Sequence, residues 1–216
     1  MNIAEFIQVL PKAELHLHLE GAAPWAMVRA RSDDTLPDAP IWWDDDFKFD
    51  DFLQFTEAIA LCYRHILTSS KAYQQVARAV FQRLAAQNVR YVEISFAIGW
   101  AVIQDLCVND VAAAIKRAAP SGLTVCVIGG ISRERPDWLT DDLKEAVLSA
   151  PDLDGIDLHG DETLGGPAPF VDIFARARQA GLLTKAHAGE LAGPQSIKDT
   201  LELLGVNRIE HGTTAM

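Results

Sequence analysis

Glu14-Leu15-His16-Leu17-His18-Leu19-Glu20 sets two imidazoles and a carboxylate at a spacing of two inside a leucine frame. In a β-strand, residues two apart point to the same side. His16, His18 and Glu20 would then share one face, with Leu15, Leu17 and Leu19 on the other. Two neutral imidazoles side by side are a natural start for a zinc site. The pattern also fits an amphipathic edge strand with its polar face in water, so this motif alone decides nothing. Lys185-Ala186-His187-Ala188-Gly189-Glu190 adds a third imidazole and a carboxylate, and Gly189 permits a turn that brings Glu190 over a pocket. Arg208-Ile209-Glu210-His211-Gly212 adds a fourth imidazole. A catalytic zinc takes about three protein ligands and keeps a position open for water. It lowers the pKa of that water and generates hydroxide near neutral pH. A general acid or base must stand within hydrogen-bond reach of the reacting group.

The elements that must carry these residues alternate along the chain. Strand candidates are 14–20, 90–96, 123–129, 155–159, 182–187 and 208–211, most of them short and apolar as strands buried on both faces are. Helical patterns lie between them. Residues 71–88 carry Val76, Ala79, Val80 and Leu84 near a 3.6 period. A helix is expected over 50–66. Asn109 is expected to cap a helix over 111–119, and Thr140 one over 141–150 with acids in its first turn. Helices over 170–180 and 195–204 end at Gly181 and Gly205. Alternation predicts a parallel sheet with right-handed crossovers. The chemically capable residues fall at the C-terminal ends of four separate strands. That favours a (β/α)8 barrel, whose sites gather there, over an open sheet with one switch point. The stretch 21–70 follows the first strand as an insertion, placed either as a lid or as packing. It holds Pro24, Pro37, Pro40 and an aromatic, acidic patch at Trp42–Asp46.

The bulk numbers bound the partners. With 216 residues, 49% of them hydrophobic, the chain fits one globular domain with a sizeable core. A net charge of -11 repels nucleic acid, which needs a basic footprint. Cys62, Cys107 and Cys126 are odd in number and widely spaced, which argues against a disulfide framework or a CxxC ribbon and for a reducing cytoplasm. Residues 1–10 lack the pattern of a signal peptide. No apolar run approaches the roughly 18 residues of a membrane span.

Four segments together resemble the adenosine/adenine deaminase family of metal-dependent hydrolases. They are Pro11-Lys12-Ala13-Glu14-Leu15-His16-Leu17-His18-Leu19-Glu20-Gly21, Gly155-Ile156-Asp157-Leu158-His159-Gly160-Asp161-Glu162, His187-Ala188-Gly189-Glu190 and Arg208-Ile209-Glu210-His211-Gly212. They occur in family order and span nearly the whole chain. The resemblance implies an α/β fold, a (β/α)8 TIM barrel of the metal-dependent hydrolase type, of which about the first six β/α units are present. Residues 1–216 would be a single catalytic barrel domain, incomplete at the C-terminus, with an insertion or lid at about 21–70. It implies one Zn2+ held by His16, His18 and His187, with His18 also on the substrate side. Glu190 would shuttle a proton to the purine N1, and His211 would orient and help deprotonate the attacking water. Gly160 would offer a backbone N–H to the purine, and Glu20 would face the sugar or its replacement. The implied reaction is hydrolytic deamination at C6 of an aminopurine, adenosine first and adenine or a modified nucleoside next, with loss of ammonia. The partners are this small molecule and water, without nucleic acid or membrane, and self-association is left open. The cytidine-type zinc deaminases carry a PCxxC segment that this chain lacks.

Two departures qualify the resemblance. The family continues to a segment with two adjacent Asp residues, one completing the metal site and one contacting the purine. No such segment follows His211, and the expectation is a portion of a longer gene product. Glu20 stands where adenosine deaminases commonly carry Asp, and the longer side chain leaves less room for a ribose. The rivals are a metal-binding or self-associating fragment without catalysis, and another barrel amidohydrolase cleaving an amide or ester. His159 and His65 are read as structural, and Asp161 and Glu162 as a hydrogen-bonded turn in preference to partners of the site.

Overall fold

The structure, a computed structural model, describes residues 2–32 and 35–215. Met1, Asp33, Asp34 and Met216 lie outside the described residues, Asp33 and Asp34 within the expected insertion. The chain opens on α1 (Ile3–Val9), β1 (Lys12–His18), α2 (Leu19–Ala22) and α3 (Trp25–Arg29). A 3-10 turn at Ile41–Trp43 precedes α4 (Phe52–His65), α5 (Ser70–Ala86), β2 (Val89–Ala97), α6 (Ile98–Ile103), α7 (Val108–Lys116) and β3 (Thr124–Ser132). After a turn at Pro136–Trp138 come α8 (Asp141–Leu148) and β4 (Gly155–His159). After another at Ala168–Phe170 come α9 (Val171–Gln179), β5 (Leu183–Ala188), α10 (Pro194–Leu204) and β6 (Arg208–His211). Among the described residues the six strands form one sheet in chain order, the succession of β/α units in a (β/α)8 barrel. The pairs β3–β4, β4–β5 and β5–β6 are parallel.

The chain divides into two compact units, Met1–Ile94 with Ala114–Val125, and Ser95–Ala113 with Cys126–Met216. In the first, Ser69 caps α5 by accepting from the Ala72 N–H. Tyr73, Val76, Ala77, Val80 and Phe81 form its buried face at helical spacing. Asp51 caps α4 by accepting from the Gln54 N–H. In the second unit, Thr140 caps α8 as expected, with Asp141 and Asp142 in its first turn. Pro194 begins α10, and Gly205 ends it in the left-handed conformation, φ 57°. Ile173, Phe174 and Ala177 form the buried face of α9. Gly155 allows β4 and β5 to approach closely, since a Cβ there would stand 2.5 Å from the Leu183 carbonyl oxygen.

Three expectations need correction. Strand β1 ends at His18, not at Glu20, because Leu19 and Glu20 turn into α2 and are both buried. Alternation favours extension locally, but burial of Leu19 and a bond from Glu20 to a residue in α4 outweigh it. Asn109 lies inside α7 and caps nothing there. Its side chain instead accepts from the backbone N–H of Asp152, 3.2 Å away. Helix α1 has no counterpart in the strand and helix reading. It rests on a capping box in which the Asn2 side chain accepts from the Glu5 N–H and Glu5 accepts from the Asn2 N–H. Among the described residues no helix is long and apolar enough to cross a membrane.

Phe174 is fully buried in the second unit. Phe174→Ala should lower unfolding free energy by about 3–5 kcal/mol in a denaturant titration. A loss below about 1 kcal/mol would contradict this packing.

Candidate active site

The first unit presents the paired imidazoles. The Nε2 atoms of His16 and His18 lie 3.3 Å apart, with the rings edge-on. Two nitrogens bound to one tetrahedral zinc at about 2.0–2.1 Å stand roughly 3.3–3.4 Å apart. The pair therefore sits at chelating separation, and at most one of the facing nitrogens can carry a hydrogen. Both rings are half-buried. Glu20 is buried and accepts a 2.5 Å hydrogen bond from the Tyr63 hydroxyl of α4, and its carboxylate lies 3.8 Å from His18 Nδ1. Burial works against the charged carboxylate, but its interactions with His18 and Tyr63 prevail and hold its pKa below the ordinary value. Burial and the Glu20 charge push the Tyr63 hydroxyl well up. The hydroxyl is thus a donor to a fixed anion. The shared strand face expected for His16, His18 and Glu20 is replaced by a strand end and a helical turn.

The second unit gathers the rest. His187 is buried on β5. Its Nε2 faces Glu210 Oε2 at 3.1 Å and Asp157 Oδ2 at 3.3 Å. Its Nδ1 faces His211 Nε2 at 3.2 Å and Glu190 Oε2 at 3.5 Å, and His211 Nε2 lies 3.3 Å from that same oxygen. The register His187↔Glu210 and Ala188↔His211 brings these residues together across β5 and β6. His211 has φ 69°. That left-handed conformation is uncommon outside glycine and accumulates at functional sites. Burial opposes charge on His187, but Asp157 foremost, with Glu190 and Glu210, raises its pKa well above the ordinary value. A divalent cation would compete with that proton for the same ring nitrogens. His187, Glu190 and His211 offer ligand atoms within 4.8 Å of one another. A set of imidazole nitrogens and carboxylate oxygens fits zinc among other divalent ions.

Gly160 is buried with φ 103°, and a Cβ there would meet Glu134 Oε1 at 3.1 Å, so the position calls for glycine. His159 is half-buried, with its ring centroid 6.2 Å from that of His187. Asp161 closes the expected turn by accepting from the Thr163 N–H and hydroxyl. Glu162 does not. It is buried and accepts from the N–H groups of Gly189, Glu190, Leu191 and Ala192 and from the Ser196 hydroxyl, at 2.5–3.1 Å. Burial raises its pKa, but these bonds outweigh that and bring it down to about 2. Sequence reasoning also passed over Asp157, Arg133, Lys185 and Glu210, all buried. The available signal was a charged residue inside a short apolar strand or at its end, which must be paired if buried. Lys185 pairs with Glu210. Arg133 donates to the carbonyls of His187, 2.5 Å away, and Gly165, 3.1 Å away.

Comparison with known proteins places the chain by sequence and fold. The adenosine deaminase family model matches residues 11–216. An adenine deaminase of Rhodospirillum rubrum is 33% identical over 225 aligned positions, covering 98% of this chain and 66% of the relative. The crystal structure of an adenine deaminase from Arthrobacter aurescens overlays with a TM-score of 0.81 at 29% identity, covering 95% of this chain and 66% of that one. An amidohydrolase from Burkholderia ambifaria, solved with bound zinc, overlays with a TM-score of 0.84 at 27% identity, covering 99% of this chain and 62% of that one. The chain thus spans just under two thirds of the length of these relatives.

Glu162 ionises at about 2 in the folded chain and near ~4.3 once unfolded. A depressed folded pKa gives stability that is present above the unfolded value and lost as pH falls toward the folded one. Denaturant unfolding should show stability declining from about pH 5 toward pH 2, and Glu162→Gln should flatten part of that decline. Superimposable pH profiles for the two proteins would contradict the bonding described.

Proposed function

The chain belongs to the adenosine deaminase family, and from that premise we propose that it is a zinc-dependent hydrolase that removes the exocyclic amino group of an aminopurine. The observation that carries this reading is the cluster His187–Glu190–His211, at the C-terminal ends of β5 and β6 with Asp157 beside it. His16, His18 and His187 would hold the ion. When bound, zinc supplies Lewis acidity and makes coordinated water acidic enough to attack near neutral pH. His211 holds the attacking water and accepts its proton. Glu190, within 3.3 Å of His211, delivers a proton to the ring nitrogen beside the reacting carbon. The Gly160 N–H orients the base. Water and the aminopurine become the oxopurine and ammonia, so atoms and protons balance.

Adenosine stands first on the sequence motifs, but adenine is the substrate proposed here. The relative from Rhodospirillum rubrum and the structural neighbour from Arthrobacter aurescens are both adenine deaminases. Glu20 is buried, with Oε1 taken by the Tyr63 hydroxyl, and its side chain is longer than the Asp of adenosine deaminases, which supports the smaller base over a nucleoside. In this reading residues 1–216 belong to one catalytic barrel domain, incomplete at the C-terminus, working in the cytoplasm. The 21–70 insertion is a lid or a packing segment after the first strand, and its Tyr63 holds Glu20.

The protein should release ammonia from adenine faster than from adenosine. His187→Ala should lose both bound zinc and ammonia release, and full activity in that variant would overturn the reading. Glu190→Gln should keep its zinc while kcat falls by roughly 10²–10⁴, measured by coupled ammonia assay and metal analysis.

A further inference from the structure

Glu162 lies 27 to 34 residues from every group it bonds, yet its carboxylate is almost wholly occupied by them. Oε1 accepts from the Gly189 N–H at 2.7 Å and the Ser196 hydroxyl at 2.5 Å. Oε2 accepts from the N–H groups of Glu190 at 2.8 Å, Leu191 at 2.7 Å and Ala192 at 3.1 Å. We infer that Glu162 is a positioning residue for Glu190: by gathering four consecutive backbone N–H groups, it fixes the loop from which Glu190 reaches His187 and His211.

Three further observations carry this. First, α10 starts at a Gly193 cap that contributes no side-chain hydrogen bond. The Gly189–Ala192 N–H groups lie ahead of that cap, outside the helix ladder, and Glu162 satisfies them from a distance. Second, the opposite side of the same loop is also held. The Thr213 hydroxyl donates to the Gly189 carbonyl at 2.6 Å, and the Thr214 hydroxyl to the Ala192 carbonyl at 3.0 Å. Third, the loop has no slack at its bend. Gly189 has φ 70°, and a Cβ there would meet Ile197 Cδ1 at 2.5 Å and Thr214 Oγ1 at 2.8 Å. The clamp engages the backbone of Glu190 and leaves its side chain to face the two imidazoles. Glutamine in place of Glu162 would turn an NH2 group toward the N–H groups and lose half of the acceptor capacity.

The catalytic consequence rests on the deaminase reading, whereas the clamp does not. The test therefore uses the full chain with two readouts, amide hydrogen exchange and steady-state deamination of adenine. In Glu162→Gln, exchange at 189–192 should quicken about tenfold or more while β4 and β5 amides keep their protection. Bound zinc and KM should hold while kcat drops about 10- to 100-fold, as expected when a reacting group is misplaced rather than removed. Glu162→Asp should fall between wild type and Glu162→Gln in both readouts, and it decides the matter if Glu162→Gln does not fold. Unchanged exchange at 189–192, or unchanged kcat with accelerated exchange, would overturn the inference. An unmodified chain that releases no ammonia but loses loop protection on Glu162→Gln would count against the deaminase reading and for the clamp.

Discussion

The burial of one imidazole among carboxylates is the constraint on which the second unit depends. His187 lies in the interior with Asp157, Glu190 and Glu210 around its two nitrogens. Removing several charges from water is expensive unless each is matched. The sequence answers with buried cations. Lys185, two residues before His187 on β5, pairs with Glu210. Arg133, from the end of β3, donates to the His187 carbonyl. Burial lowers the Arg133 pKa, and the Glu162 and Asp157 charges support it. Register supplies the rest, since β4 sets Asp157 against Lys185 and β5 sets His187 against Glu210. A slip of one residue would turn either set to the other face.

That constraint explains why some parts of the molecule could be read from sequence and others could not. Elements whose causes are local were legible. The Thr140 cap of α8, Gly205 at the end of α10 and the exact extents of β4 and β6 follow from nearby residues. The imidazoles were legible because His at a fixed spacing carries its chemistry in its type. Asp157, Glu162, Lys185 and Glu210 were not, because a charged residue in a short strand reads alike whether its partner is water or a buried ion. Glu162 shows the limit most clearly. Its sequence neighbours suggest a turn, while its partners begin 27 residues later. The end of β1 failed for the same reason, because Tyr63, 43 residues from Glu20, decides where that carboxylate lies.

The two units divide the expected chemistry. The first supplies paired imidazoles at chelating distance and a carboxylate held by a phenol. The second supplies a buried imidazole, the Glu190 carboxylate and the His211 imidazole beside it, and Glu162 bonded to the backbone of the Glu190 loop. A backbone conformation that is costly outside glycine occurs at His211, at the end of β6, where a rigid strand can impose it. Loops that carry chemistry are useful only when a scaffold fixes them. Here the fixing groups are backbone bonds from Glu162, Thr213, Thr214 and Arg133.

His16, His18 and His187 are the proposed ligands of a divalent cation. X-ray absorption at the zinc edge of the zinc-loaded chain measures this coordination most directly. One tightly held ion is expected, with imidazole scattering from about three rings at roughly 2.0–2.1 Å. A weakly held ion surrounded by oxygen alone, or a spectrum unchanged by His187→Ala, would contradict it.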